Sequence, residues 1–161
     1  MADSPTQKTR PSRIGLISDT HGQLRPEAFL ALRGAELILH AGDVGNPEIL
    51  ESLKQIAAVV AVRGNVDTAP WASVLPKTAV VETSGPMIYV LHDLHQLDLK
   101  LAAAGFGIVV SGHSHKPAKE ERDGVLFINP GSAGPRRFSL PVTIAWLHVN
   151  ESPWRVDFVE L

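Results

Sequence analysis

Cysteine is absent from the 161 residues, which excludes disulfides, thiolate nucleophiles, cysteine zinc sites and iron–sulfur clusters. Any metal must sit on histidine, carboxylate or amide. Long apolar runs are also missing. None approaches the roughly 18 residues of a membrane span, and Met1–Pro11 lacks an apolar signal-peptide core. No membrane partner and a cytoplasmic location are the default expectations. Positive charge is not in surplus: fifteen Lys and Arg face seventeen Asp and Glu, a formal net charge of −2. Without a broad basic surface, long nucleic acid is disfavoured, because counterion release would have little to act through. A small nucleotide in a cleft is still compatible. Against one tyrosine stand seven histidines, with 44% hydrophobic and 20% charged residues. This balance buries a core unaided, and the length suits one domain.

Residues 1–12 mix Ser, Thr, Pro, Lys and Arg without periodicity and read as a disordered leader, with one domain over 13–161. Ile14–Ile17 is an apolar strand running into Ser18-Asp19-Thr20-His21-Gly22. A short helix is expected over Arg25–Arg33, then a strand at Leu37–His40, a turn at Ala41-Gly42-Asp43 and a helix over Pro47–Ala57. A third strand, Ala58–Val62, ends at Gly64-Asn65. Strands alternating with helices predict right-handed parallel crossovers. Thr78–Thr83 and Met87–Leu91 flank Ser84-Gly85-Pro86 as a hairpin; Gln96–Ala104 reads as a helix, and Gly107–Ser111 as a buried strand. From Lys119 the pattern is antiparallel, turning at Asp123-Gly124 and ending in strands at Val142–Val149 and Trp154–Leu161. An α/β half followed by a β-rich half predicts an α/β fold of two packed sheets with helices outside, and a ligand site beyond the carboxyl ends of the parallel strands.

The polar residues collect in those loops. Asp19 and His21 follow the first strand, Asp43 the second, Asn65 the third, His92 the hairpin, and His113 with His115 the strand after it. Singly, an Asp there is most often a cap or turn residue and a histidine a surface or core residue; capping could account for Asp43 before the Pro47 helix. Capping does not account for three histidines just past apolar strands, nor for glycines at 22, 42, 64 and 112. Hard oxygens mixed with imidazoles suit manganese, iron, nickel or zinc.

Asp19-Thr20-His21-Gly22, Gly42-Asp43, Gly64-Asn65-Val66-Asp67, His92, Gly112-His113-Ser114-His115 and Asn129-Pro130-Gly131-Ser132 resemble, in order, the motifs of the calcineurin-like metallophosphoesterases, closest to their small single-domain bacterial and archaeal phosphodiesterases. The resemblance implies a four-layer α/β/β/α sandwich of two mixed sheets flanked by helices. It also implies two divalent cations, manganese first among the candidates. Asp19, His21 and His115 would hold one; Asn65, His92 and His113 the other; Asp43 would bridge them. The catalytic roles would fall to Asp43, Asn65 and His113, and the substrate would be a small phosphodiester hydrolysed in line by a hydroxide between the ions. Such chemistry needs no protein nucleophile, and Thr20 and Ser114 are expected to orient neighbouring ligands.

Two positions depart from the family pattern. Where the superfamily often has a histidine, Val66 cannot transfer a proton, which favours good leaving groups; Asp67 beside it reads either as catalytic or as a backbone-bonded loop residue. After His92 the branch usually has glycine, whereas this chain has Asp93, expected to keep a left-handed turn. His95 reads as a surface residue at a helix start, and His40 and His148 as structural. Arg136 and Arg137 are candidate phosphate contacts alongside Asn65, and Trp71 is the one candidate for stacking. The carboxyl-terminal strands could provide a homo-oligomer edge. Two rival functions stand beside the diesterase: a scaffold of the same fold, which has no physical need for seven ligand types, and a nuclease, opposed by the near-neutral charge.

Overall fold

Alternating apolar residues on short, fully buried strands set the architecture of this computed structural model, which describes residues 10–161. On β1 (Arg13–Ile17) and β2 (Leu37–His40), Ile14, Leu16, Leu37 and Leu39 point to one face of the sheet while Ile17 and Ile38 point to the other. Strands buried on both faces belong between two layers. α1 (Pro26–Ala31) and α2 (Pro47–Lys54) provide one of them, packing Ala28, Leu32, Ile49, Leu50 and Leu53 on the outer face. Both helices begin with proline, whose fixed φ and missing N–H cost nothing in a first turn. Asn46 caps α2 by accepting from the Glu48 N–H at 2.9 Å, so Asp43 is not the cap and its carboxylate is free for other partners.

β1 and β2 run parallel, and β2 runs parallel to β3 (Ala58–Ala61). β9 (Thr143–His148) and β10 (Arg155–Glu160) add antiparallel strands, giving the order β10-β9-β1-β2-β3. The second sheet also has five strands, in the order β4 (Thr78–Glu82), β5 (Met87–Leu91), β6 (Phe106–Val110), β8 (Val125–Pro130) and β7 (Pro117–Arg122). In it β4 and β5 form the expected hairpin, and β6 is parallel to both β5 and β8. β7 pairs antiparallel with β8 around Asp123-Gly124. Both sheets are mixed, as expected, and their facing sides interlock through Ile14, Leu39, Ile88, Val90, Ile108 and Leu147. The carboxyl-terminal antiparallel strands therefore divide, β7 and β8 in one sheet and β9 and β10 in the other.

The outermost layer on the second sheet differs from the expectation. Gln96–Ala104 is not an α-helix: a 3-10 turn at Leu94–Gln96 gives way to irregular turns. Leu94, Leu97 and Leu101 still cover Tyr89, Leu91 and Val109. A segment of this length has little helical stability of its own, and packing its leucines onto the sheet without helical continuity satisfies the same burial. The expected leader also ends earlier. Residues 1–9 lie outside the described residues, but Pro11 and Ser12 are already fastened, through Ser84 N–H to Pro11 C=O, Val149 N–H to Ser12 C=O and Ser12 N–H to Glu36 at 3.0 Å. Among the described residues no helix is long and apolar enough to cross a membrane.

Candidate metal centre

The loops leaving β1 and β2 are joined beyond the strands by backbone bonds from Asp19 to Gly42, His21 to Asp43 and Gly22 to Val44. Gly112 N–H to His92 C=O does the same for the loops leaving β5 and β6. These ties gather Asp19, His21 and His115 into one group, and Asp43, His92 and His113 into another, with all donor atoms in each group within 4.8 Å of one another. Asn65 completes the second group. Its Oδ1 lies 3.0 Å from His92 Nε2 and 3.2 Å from His113 Nδ1. Asp43 faces both groups, with Oδ2 3.2 Å from His92 Nε2 and 3.7 Å from His21 Nε2.

Five of these residues hold left-handed backbone: Asp19 (φ 55), His21 (φ 47), Asp43 (φ 54), His113 (φ 71) and His115 (φ 63). This conformation costs non-glycine residues about 1–3 kcal/mol each. Its recurrence at the candidate ligands fits backbone shaped around a site rather than for stability. Close packing contributes too. A Cβ on Gly64 would collide with Asp43 Oδ1, and one on Gly112 with Ser18 Oγ and, at 2.6 Å, Asp19 Oδ2.

Asp19 has no solvent exposure. Its Oδ2 accepts from Ser18 Oγ at 2.6 Å and from the His113 N–H at 3.1 Å, but its Oδ1 has no hydrogen-bond partner. That oxygen faces His115 Nε2 at 3.3 Å, His21 Nε2 at 3.6 Å and His92 Nε2 at 3.9 Å. A buried carboxylate oxygen aimed at three imidazole nitrogens, with no Lys or Arg in contact, is the arrangement expected around a cation. The buried His115 Nδ1 is likewise unpartnered. Burial alone would raise the Asp19 pKa, but the nearby His21 imidazole and the hydrogen bond from Ser18 outweigh it and hold the carboxyl below its ordinary value. Asp43 behaves the same way, with His92 and the Val66 N–H overcoming burial. The carboxylate of Asp19 beside it raises His21. For His92, burial opposes protonation but Asp43 and the Ala41 carbonyl win, and its pKa rises. Because His92 Nδ1 lies 2.7 Å from the Ala41 carbonyl, that nitrogen must carry the hydrogen, which leaves Nε2 as the lone-pair donor when the ring is neutral.

The supporting residues resolve several expectations. Asp67 is a backbone organiser, accepting from the N–H groups of Gly64 (2.9 Å), Gly45 (2.9 Å) and Val44 (3.2 Å). Ser114 Oγ accepts from Asn129 Nδ2 at 3.0 Å, and the same amide donates to Gly112 C=O at 2.9 Å. Thr20 acts through His40, whose structural role extends to the site. The Gly42 N–H donates to His40 Nδ1 at 3.2 Å, so Nε2 carries the hydrogen and donates to Thr20 Oγ1 at 3.0 Å. The Thr20 hydroxyl then donates to Val44 C=O at 2.8 Å. This relay joins the Asp19 and Asp43 loops. Only its place at the end of β2, beside Gly42-Asp43, hinted at it.

Burial lowers the His40 pKa from 6.5 to about 4. The unfolded chain therefore takes up a proton near 6.5 that the folded chain refuses, and stability falls as the pH drops through that window. Between about pH 7 and about pH 4.5 the stability advantage of wild type over His40→Gln should shrink by about 2 kcal/mol. Urea unfolding of both metal-free proteins measures this, and parallel pH dependences would show that the folded ring takes up its proton as readily as the unfolded one.

Other expectations change. Asp93 is extended (φ −116), not left-handed, and its side chain caps the Leu94–Gln96 turn through the His95 N–H at 3.0 Å. His95 is the anticipated surface residue, its side chain 95% exposed. Trp71 packs against the core between the first sheet and its helices, which removes it as a stacking platform. Arg136 and Arg137 are exposed, and the positive charge of Arg137 bears on His21 and His115. His148 lies 3.4 Å from Asp157 and stacks on Trp146.

Residues 13–152 match the family described as the calcineurin-like phosphoesterase superfamily domain. The chain is 37% identical over 132 residues to a probable metallophosphoesterase, MJ0623, of Methanocaldococcus jannaschii, covering 74% of this chain and 67% of that protein. It is 32% identical over 153 residues to phosphodiesterase YfcE of Escherichia coli K12, covering 74% and 78%. Among solved structures, Vps29 of Chaetomium thermophilum superposes with a TM-score of 0.73 at 21% identity, over 92% of this chain and 97% of that one. With this match over most of its length, the chain belongs to the calcineurin-like phosphoesterase superfamily.

Proposed function

We propose that the chain is a phosphodiesterase working with two divalent cations. The observation that carries this reading is the pair of donor groups facing one another across Asp43, with the buried Asp19 Oδ1 left without a partner. In this reading Asp19, His21 and His115 hold one ion, Asn65, His92 and His113 the other, and Asp43 both. The carboxylate, imidazole and amide donors suit manganese, and equally iron, nickel or zinc. When bound, such ions supply Lewis acidity toward a phosphoryl group and a water acidified to near neutrality.

The chain's own groups do the rest. Asp19 and Asp43, held ionised by their hydrogen bonds, keep negative charge where the cations sit. The His92–Ala41 bond aims the imidazole lone pair inward. Asn65 directs its oxygen toward both histidines of its group, leaving its N–H groups for a phosphoryl oxygen. Arg137, with Arg136 beside it, brings guanidinium donors to the remaining oxygens. Val66 offers no proton to the departing group, so turnover depends on the leaving group's own acidity.

The Vps29 likeness speaks to the fold alone. Against a pure scaffold stand two buried carboxylates beside a cluster of imidazoles, with Asp19 Oδ1 left unpartnered, an arrangement a scaffold has no need to keep. Against a nuclease stands the net charge of −2. The test is a panel for the metal-stripped protein reloaded with manganese. Bis(4-nitrophenyl) phosphate should be hydrolysed, with kcat/KM about tenfold or more above 4-nitrophenyl phosphate, and oligonucleotides should survive. No turnover with manganese, nickel, zinc or iron would overturn the reading in favour of the scaffold.

A further inference from the structure

A cavity of about 320 Å³ opens off Asn65 and His92, and neither His21 nor His115 lines it. Its size falls at the lower end of the range for small-molecule sites. Three separate segments wall it: Arg63 after β3, Lys77 just before β4, and Gln96 at the end of the turn that follows β5 with Asp98 just beyond it. Arg63 is half-buried. Among the described residues, none of these four side chains forms a salt bridge or a side-chain hydrogen bond, although salt bridges pair Arg10, Lys54, Arg122 and Arg155 elsewhere. Uncommitted donors and acceptors converging on a cavity next to candidate ligands are suited to part of a substrate.

The lining narrows the chemistry by elimination. Arg63 and Lys77 are balanced by Asp93 and Asp98, so a second anionic group would meet two carboxylates and a cationic group two cations. A nucleobase needs an aromatic face to stack on. Of the cavity's two rings, Tyr89 is only 7% exposed and packs edge-on against Phe106 at 5.2 Å, and His92 is 5% exposed and edge-on to His113 at 5.2 Å, so neither offers a free face. What remains is a neutral, non-planar group rich in hydroxyls, which can donate to Asp98 and Asp93 and accept from Arg63, Lys77 and Gln96 in the same pose. We propose that this cavity holds one ester group of the phosphodiester and selects a polyol, such as glycerol or a sugar; the inference rests on the diesterase reading above.

The test uses the manganese-loaded protein and four 4-nitrophenyl phosphodiesters whose second ester group is glycerol, methyl, choline or thymidine. The glycerol ester should have a kcat/KM about tenfold above the methyl ester, with choline and thymidine no better than methyl. In Arg63→Met and in Asp98→Ala the glycerol-to-methyl ratio should fall to about twofold or less. Equal kcat/KM for all four esters, preference for choline or thymidine, or an unchanged ratio in both variants would overturn the polyol site while leaving the diesterase standing. Failure of all four esters to turn over would overturn both.

Discussion

Asp43→Asn should lower manganese-dependent diester hydrolysis by about 10³-fold while the protein remains folded. The two carboxylate oxygens have different tasks. Oδ1 accepts the Val66 N–H at 3.0 Å, a bond that the amide oxygen of asparagine can keep. Oδ2 faces both donor groups, and the substitution turns it into an amide that presents N–H groups where the cations would sit. The charge that offsets two divalent ions at their shared position goes with it. Because His92 and the Val66 N–H hold the Asp43 carboxyl below its ordinary value, the ionised group contributes stability, and the midpoint of the metal-free variant should be unchanged or somewhat lower. A variant rate within tenfold of wild type would mean that Asp43 does not serve both groups.

Gly64→Ala should be nearly as damaging, by another route. Gly64 does not need unusual backbone angles; it needs the absence of a side chain. A methyl there would collide with the Asp43 carboxylate and backbone N–H, with no flexible side-chain end to move aside. Forcing it in should cost about 1–3 kcal/mol of stability. Because the group displaced is Asp43, hydrolysis should fall by about 10²-fold or more. Gly22→Ala is the control: nothing lies within 4 Å of the added methyl there, so only the left-handed backbone (φ +84) is penalised, at about 1 kcal/mol. Urea midpoints and diester rates for the two variants test the contrast, and equal effects at both positions would contradict it.

Much of this site could be read from sequence because its donors stand just past apolar strands, where a parallel α/β layout must bring loops together. Asp19, Asp43, Asn65 and His113 declare themselves by chemistry and position, and the packing of Ile14, Leu39 and Val110 does the assembling. Where the chain diverges from that reading, tertiary contacts decide between local options of similar energy. The leucines of 94–101 have spacing compatible with a helix, yet a capped turn and irregular chain bury them equally well. Asp93 could have held a left-handed turn, but its side chain found the His95 N–H instead. His40 illustrates the opposite failure. A lone histidine in an apolar strand reveals nothing of its hydrogen bonds until Thr20 and Gly42 are folded against it.

The left-handed backbone at five candidate ligands was equally hidden, since sequence shows glycine where φ must be positive but not aspartate or histidine forced into the same region. Such strain persists only when surrounding contacts over-determine it. Here the backbone ties between the β1 and β2 loops, Asp67 under Gly64 and Ser18 beside Asp19 do so. Among the described residues, five of the seven non-glycine residues with positive φ lie at the end of the sheets where the candidate donors meet, which is the pattern of a site kept for chemistry.

Native mass spectrometry of the metal-stripped protein titrated with manganese tests most directly whether seven side chains sharing Asp43 hold two cations. Saturation at about two ions per chain is expected. Saturation at one ion, or no retained manganese at all, would contradict it.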